Sequence, residues 1–302
     1  AGKMFDIPIS GTMAHSWVMC FDNEFEAFKA YAESYPDATV LLVDTYDVLK
    51  SGVPNAIRTA KEVLEPMGKR LKGIRLDSGD LAYLSKEARK MLDAAGLSDC
   101  IIVASNSLDE YTITSLNRQE AKIDSYGVGE KLITSSTTPV FGAVYKLVAI
   151  NKDGDFVPKI KISETLEKIT NPGIKEIYRV YDKAGKAVAD YLTIKGEVLD
   201  TNRPVRYVDP VKYWKDRSFV DCSFKPLQQQ IFRDGELVYE LPALEDIKKY
   251  VRNQLDSEIW KEEQRFENCH PHYLDMSPAM FELKMSLLHD GSCGLQPSQA
   301  DL

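Results

Sequence analysis

Arg75 lies in a strand-like run, Leu71–Leu76, between the apolar Ile74 and Leu76, and is followed at once by Asp77-Ser78-Gly79-Asp80. A charge inside such a run is unusual, because burial penalises it unless it is paired. Its planar guanidinium suits bidentate capture of a carboxylate or phosphate, and it can lie against an aromatic ring. Asp77 and Asp80 could hold sugar hydroxyls or a magnesium–phosphate complex; the plainer alternative is that Asp77 or Ser78 caps the next helix. Gly11-Thr12-Met13-Ala14-His15-Ser16 offers close backbone approach, a hydroxyl, and an imidazole able to titrate or carry a covalent group. A turn and helix start with an incidental histidine would read the same. Ser105-Asn106 and Gly127-Val128-Gly129 supply backbone amides of the kind that favour anions, although these are also ordinary turn residues. Together with Arg75 they point to a phosphorylated ligand, and Asp44-Thr45-Tyr46-Asp47 is a similar candidate cluster. Cys269-His270-Pro271-His272 invites a zinc reading, but only His289 and Cys293 accompany it, at loose spacing, so a loop before the final helix is expected.

Elements that would position these clusters follow one pattern between residue 38 and about 130. A short β-branched run ends in a polar cluster, and an amphipathic helix-length segment follows. Thr39–Val43 leads to Val53–Leu64, Leu71–Leu76 to Leu81–Ala95, and Cys100–Ala104 to Asp109–Arg118, before a last run at Ile123–Gly127. Such alternation predicts βαβ units and a parallel sheet, whose strand C-termini form the reactive rim. Every cluster named above, other than the Cys-His motif, falls on that rim. With Met4–Ile9 counted, five strands are expected, against about eight in a closed α/β barrel. Together with the start at Ala1-Gly2-Lys3, this leads to the expectation that the remaining strands precede Ala1.

The pattern changes after about residue 140. Val144–Ile150 with Phe156–Ile162, Ile177–Tyr181 with Ala187–Ile194, and Gln230–Arg233 with Glu236–Tyr239 read as hairpins. Helices are expected over Ala243–Arg265 and Pro278–Leu288, the latter capped by Ser277, with a frayed last dozen residues. The expected organisation is therefore residues 1–142 as part of an α/β barrel carrying the rim, and 143–302 as an α+β domain packed on it.

Composition narrows the function further. There are 38 basic and 46 acidic residues, a net charge of −8, which argues against a nucleic-acid partner. The basic-aromatic stretch Tyr207–Phe219 is accordingly read as a solvated strand and loop. Apolar runs are far shorter than the roughly 20 residues of a membrane helix. Five scattered cysteines and no signal-peptide pattern in the opening residues suggest a cytosolic chain with free thiols.

Read in order, the clusters resemble the nicotinate phosphoribosyltransferase family, of the type II phosphoribosyltransferases. The resemblance is carried by Gly11-Thr12-x-Ala14-His15-Ser16, Asp44-Thr45-Tyr46, Ser51-Gly52-x-Pro54-Asn55, Arg75-Leu76-Asp77-Ser78-Gly79-Asp80-Leu81, Ser105-Asn106, Gly127-x-Gly129 and Tyr145-Lys146-Leu147-Val148. Lys161-x-Ser163-Glu164-x-x-Glu167-Lys168-x-Thr170-x-Pro172-Gly173 continues it to about Arg179. The family resemblance implies an irregular α/β barrel with a second domain. It implies a cytosolic and usually dimeric enzyme that condenses nicotinate with phosphoribosyl pyrophosphate, with magnesium, as ATP is hydrolysed, in NAD salvage. It also implies that the N-terminal half of the barrel, with its aromatic and arginine substrate contacts, is absent from this chain and would be supplied by that half.

Residue roles come from the same resemblance. His15 matches the histidine phosphorylated by ATP, Thr12 and Arg75 the positions that contact nicotinate, and Asp77 the aspartate facing the ribose hydroxyls. Ser105, Asn106, Gly127 and Gly129 match positions that hold the 5-phosphate. Some relatives carry threonine where this chain has Glu130, which is expected to point away from a phosphate or to pair with Lys131. No protein metal ligand is expected. The competing readings are a nicotinamide-specific relative, a non-catalytic phosphosugar-binding fragment, and an unrelated barrel acting on sugar phosphates.

Overall fold

A computed structural model describes residues 2–140, 142–165, 168–214 and 217–289. Glu167, Cys293 and the last dozen residues, on which expectations were placed, lie outside the described residues. The chain falls into two compact units, Ala1–Ala143 and Val144–Leu302.

In the first unit, α1 (Gly2–Phe5), α2 (His15–Met19) and α3 (Glu24–Ser34) precede β1 (Val40–Leu42). Then follow α4 (Val53–Thr59), β2 (Gly73–Leu76), α5 (Leu81–Ala94), β3 (Ile101–Ala104), α6 (Glu110–Arg118), β4 (Ser125–Tyr126) and α7 (Glu130–Ile133). The four strands form one parallel sheet in sequential order, with Leu42 opposite Arg75 and Arg75 opposite Val103. Leu41, Leu42, Ile74, Leu76, Ile102 and Ala104 are fully buried, each large side chain contributing roughly 1.5–3 kcal/mol of burial. The helices start where polar caps stand. Asp80 accepts from the Tyr83 amide at 3.0 Å, and Asp109 from the Thr112 amide at 2.8 Å. Gly96, at φ +78°, ends α5 in the left-handed conformation that a β-carbon would oppose.

Two expectations are corrected here. Met4–Ile9 forms no strand: α1 ends at Phe5, and Met4 and Ile9 are 79% and 86% exposed, with no neighbouring strand to cover them. The helical stretch expected over Val53–Leu64 begins earlier, because a wide turn at Val48–Gly52 precedes α4, and its last part, Ala60–Leu64, is also a wide turn. The parallel sheet therefore has four strands rather than five.

The second unit contains a hairpin of β5 (Ala149–Lys152) and β6 (Asp155–Pro158), turned by Asp153-Gly154 at φ +54° and +97°. Its main sheet has the order β11 (Ser223–Pro226), β7 (Lys175–Tyr181), β8 (Ala187–Ile194), β14 (Leu274–Met276). All pairs in it are antiparallel except β8 with β14. β9 (Val205–Tyr207) pairs with β10 (Arg217–Phe219), and β12 (Phe232–Arg233) with β13 (Glu236–Leu237). α8 (Leu244–Asn253) and α9 (Pro278–His289) complete it. The Ser277 hydroxyl accepts from the Met280 amide at 3.1 Å, as the cap position predicts.

Here too the structure departs from the sequence reading. The helix expected over Ala243–Arg265 ends at Asn253, with one wide turn to Glu258. Beyond it the Lys261 ammonium and the Gln264 amide take the Leu255 carbonyl, and Gln264 also takes that of Ile259, so side chains replace the helical donors. Tyr207 and Phe219 are not both solvated: they stack at 4.2 Å, and Phe219 is buried. Within the Cys-His segment, His272 sets Nδ1 at 3.0 Å from Glu263 and Nε2 at 3.3 Å from Asp190. Among the described residues no group of three or more His, Cys, Asp or Glu is arranged for a metal, and no helix is long and apolar enough to cross a membrane.

Candidate active site

The loops leaving the C-terminal ends of β1, β2 and β3, together with the turn before α2, bring distant side chains together. Arg75 anchors them. Its Nε–H donates to Ser105 Oγ at 2.8 Å, one terminal nitrogen to Thr12 Oγ1 at 2.9 Å, and the other to Asp77 Oδ1 at 3.0 Å. Three of its five N–H donors are thus committed, which explains how a charge is tolerated within β2. Ser105 also donates to Asp77 Oδ1 through a short bond. Burial alone would raise the Asp77 pKa, but hydrogen bonds from Ser105 and Arg75, with the charge of Arg75, outweigh it and hold the carboxyl below its ordinary value.

His15 opens α2 beside this cluster. Its Nδ1 lies 3.2 Å from Thr45 Oγ1, and its Nε2 faces two carboxylates, Asp77 at 3.7 Å and Asp44 at 3.8 Å. With the proton on Nδ1 and donated to Thr45, the Nε2 lone pair is free. Asp44 is almost wholly buried. Its Oδ2 accepts from the Asp77 amide at 3.1 Å and from Ser78 Oγ at 2.5 Å, while its Oδ1 has no hydrogen-bond partner and lies 3.8 Å from His15 Nε2. Asp44 therefore holds the Asp77-Ser78 turn in place. In the sequence it was one member of a polar cluster at a strand end, with nothing to mark it above Thr45 or Asp47. Asp80, by contrast, is the cap of α5, a role the alternative reading gave to Asp77 or Ser78.

Five of the expected site residues, Thr12, His15, Arg75, Asp77 and Ser105, thus form one connected cluster. Asn106, Gly127 and Gly129 lie outside this hydrogen-bond network, on the loops after β3 and β4. Asn106 has φ +88°, a conformation that asparagine tolerates better than most residues. The Gly127 amide is already bonded to the Ala104 carbonyl at 2.8 Å, so it is not a free donor. A β-carbon at Gly127 would stand 3.4 Å from Ser105 Cβ, so glycine there leaves room beside Ser105. Glu130 begins α7 and is exposed.

The family described as "Nicotinate phosphoribosyltransferase (NAPRTase) family" matches residues 1–195, and "Nicotinate phosphoribosyltransferase C-terminal domain" matches residues 174–284. The nicotinate phosphoribosyltransferase of Bacillus subtilis is 46% identical over 293 residues, covering 96% of this chain and 59% of that protein. That of Caenorhabditis elegans is 33% identical, covering 95% and 60% respectively. The crystal structure of human nicotinic acid phosphoribosyltransferase superposes with a TM-score of 0.76 at 25% identity, over 95% of this chain and 63% of that one. A nicotinate-nucleotide pyrophosphorylase from Pyrococcus furiosus shares the fold, with a TM-score of 0.54 at 23% identity. The chain spans about 60% of the length of these first two relatives. On two family matches that together run from residue 1 to residue 284, the chain belongs to the nicotinate phosphoribosyltransferase family.

Proposed function

We propose that this chain carries the catalytic rim of an enzyme that condenses nicotinate with phosphoribosyl pyrophosphate, giving nicotinate mononucleotide and pyrophosphate with coupled ATP hydrolysis. The observation that carries the reading is the Arg75 guanidinium, oriented by Thr12, Asp77 and Ser105 next to the His15 imidazole. The two N–H donors that Arg75 keeps free suit the planar carboxylate of nicotinate, with Thr12 alongside. Asp77 is assigned to the ribose hydroxyls. Ser105, Asn106, Gly127 and Gly129 are assigned to the 5-phosphate, Gly127 by leaving space rather than by donating its amide.

The chemistry needs positioning more than a protein nucleophile. The ring nitrogen of nicotinate attacks the anomeric carbon, and the bond from that carbon to the pyrophosphate oxygen breaks. The electron pair leaves with the magnesium-bound pyrophosphate, the magnesium arriving as part of the substrate. Positive charge develops on the ribose, and the carboxylate of Asp77 is assigned to oppose that charge. In the ATP step, His15 Nε2 attacks the γ-phosphorus, ADP departs, and a phosphohistidine forms between Asp44 and Asp77. Water then attacks the phosphohistidine phosphorus, the P–N bond breaks, and inorganic phosphate leaves with His15 restored; the like charges gathered there favour this hydrolysis. The proposed setting is cytoplasmic, supported by scattered free cysteines. The proposed assembly is a homodimer, or a barrel completed by a further N-terminal portion.

The test is mononucleotide formation from labelled nicotinate, phosphoribosyl pyrophosphate, magnesium and ATP, beside a His15→Ala variant. Product whose ATP stimulation disappears in the variant supports the reading. A preference for nicotinamide in competition would transfer the chain to the nicotinamide-specific relative. Binding without any product would leave a phosphosugar-binding portion.

A further inference from the structure

Ser51-Gly52-x-Pro54-Asn55 belongs to the family resemblance but lies outside the network around Arg75. Its partner is Glu24, the first residue of α3, which is only 3% exposed. Glu24 Oε2 accepts from Ser51 Oγ at 2.5 Å and from Asn55 Nδ2 at 3.1 Å, and its Oε1 is buried without a hydrogen-bond partner. A buried carboxylate with one oxygen unmet is costly compared with an apolar side chain of similar size. What it gains is a fixed position for the chain entering α4. Gly52 completes that seat: a β-carbon there would fall 1.8 Å from the Val43 carbonyl oxygen, so the turn before α4 lies against the end of β1, one residue before Asp44.

The same first turn of α3 also holds α2, the helix that His15 opens. The Trp17 indole N–H, on α2, donates to the Ala27 carbonyl of α3 at 3.1 Å. Both sides of the His15 contacts, at 3.2 Å to Thr45 and 3.8 Å to Asp44, are thus anchored on the same helix.

We propose that α3 is a brace and that Glu24 and Trp17 are positioning residues, which set the His15 imidazole against the Asp44-Thr45 turn. The activity readout rests on the reading of His15 given above; the geometric readout does not.

Three variants of the whole chain test it: Glu24→Gln, Glu24→Ala and Trp17→Phe. The measurements are the ring ¹⁵N resonances of His15, assigned by their loss in His15→Ala, and the kcat and KM of ATP-stimulated turnover. Glu24→Gln keeps an oxygen for Ser51 and Asn55 and leaves the His15 resonances and turnover as in the parent. Glu24→Ala shifts the Nδ1 resonance and lowers kcat about 10- to 100-fold, with KM for nicotinate unchanged. Trp17→Phe, which removes the indole N–H and shortens the ring that packs on Phe21 and Tyr31, moves the same resonance in the same direction. A Glu24→Ala chain that loses thermal stability while its His15 resonances stay in place overturns the proposal. If that variant does not fold, Trp17→Phe decides by the same resonance. A chain that forms no mononucleotide under any condition defeats the proposed reaction, yet the resonances still decide the brace.

Discussion

At the scale of single residues, the site depends on how Arg75 is kept both charged and directed. Thr12, Asp77 and Ser105 hold three edges of one planar group, and Asp77 stays ionised because Ser105 and Arg75 offset its burial. A lysine would keep the charge but could not make three directed bonds and still present a flat pair of donors. Arg75→Lys is therefore expected to raise KM for nicotinate by about 10- to 100-fold, a loss on the order of 1.4–3 kcal/mol, in steady-state assays. An unchanged KM would remove Arg75 from nicotinate recognition. Arg75 was legible in the sequence, because a charge in an apolar strand demands an explanation. Asp44 and Glu24 were not: an acid at a strand end or in the first turn of a helix is usually a cap or a dipole partner. Their burial decides otherwise.

At the scale of elements, turn chemistry proved a reliable guide and isolated apolar runs did not. Asp153-Gly154 and Asp234-Gly235 turn their hairpins at positive φ, as the dipeptides predict. Met4–Ile9 has strand composition but pairs with no strand among the described residues, and local composition cannot supply one. The converse case is β14, three residues with Asp275 at the centre, which no sequence pattern marked. Burial, reinforced by the charge of Asp209 and opposed by Arg217, pushes Asp275 up to about 6. A carboxyl raised above its unfolded value of roughly 4 favours the folded state fully below that value, and the advantage is lost as pH rises through about 6. Asp275→Asn removes this titration. Its stability relative to the parent is expected to increase between about pH 4 and pH 8, by on the order of 3 kcal/mol, in denaturant midpoints followed on the second unit. Parallel pH profiles for the two proteins would refute the assignment.

At the scale of the whole molecule, the net charge of −8 is unevenly used: at the rim, Arg75 is paired with Asp77 at 3.0 Å. Large apolar side chains stay open to solvent at Met4, Ile9, Leu132, Ile133, Val140 and Leu147, and β1 and β4 each leave one edge unpaired among the described residues. Exposed apolar surface and open sheet edges each favour association. The 34.0 kDa chain is expected to show an apparent mass that rises with concentration in light scattering. A constant monomer mass would show that these surfaces are self-sufficient.

The order of motifs, the strand–helix alternation and the hairpin turns are local properties, carried by spacing and backbone preference, and the sequence by itself determined them. The site is not local. Thr12 and Arg75 are 63 residues apart, and Arg75 and Ser105 are 30 apart. They meet because the parallel register sets Arg75 beside Leu42 and Val103, which brings the exits of three strands to one rim. Register is selected by burying one set of side chains in a shared core, and only the tertiary structure contains that core.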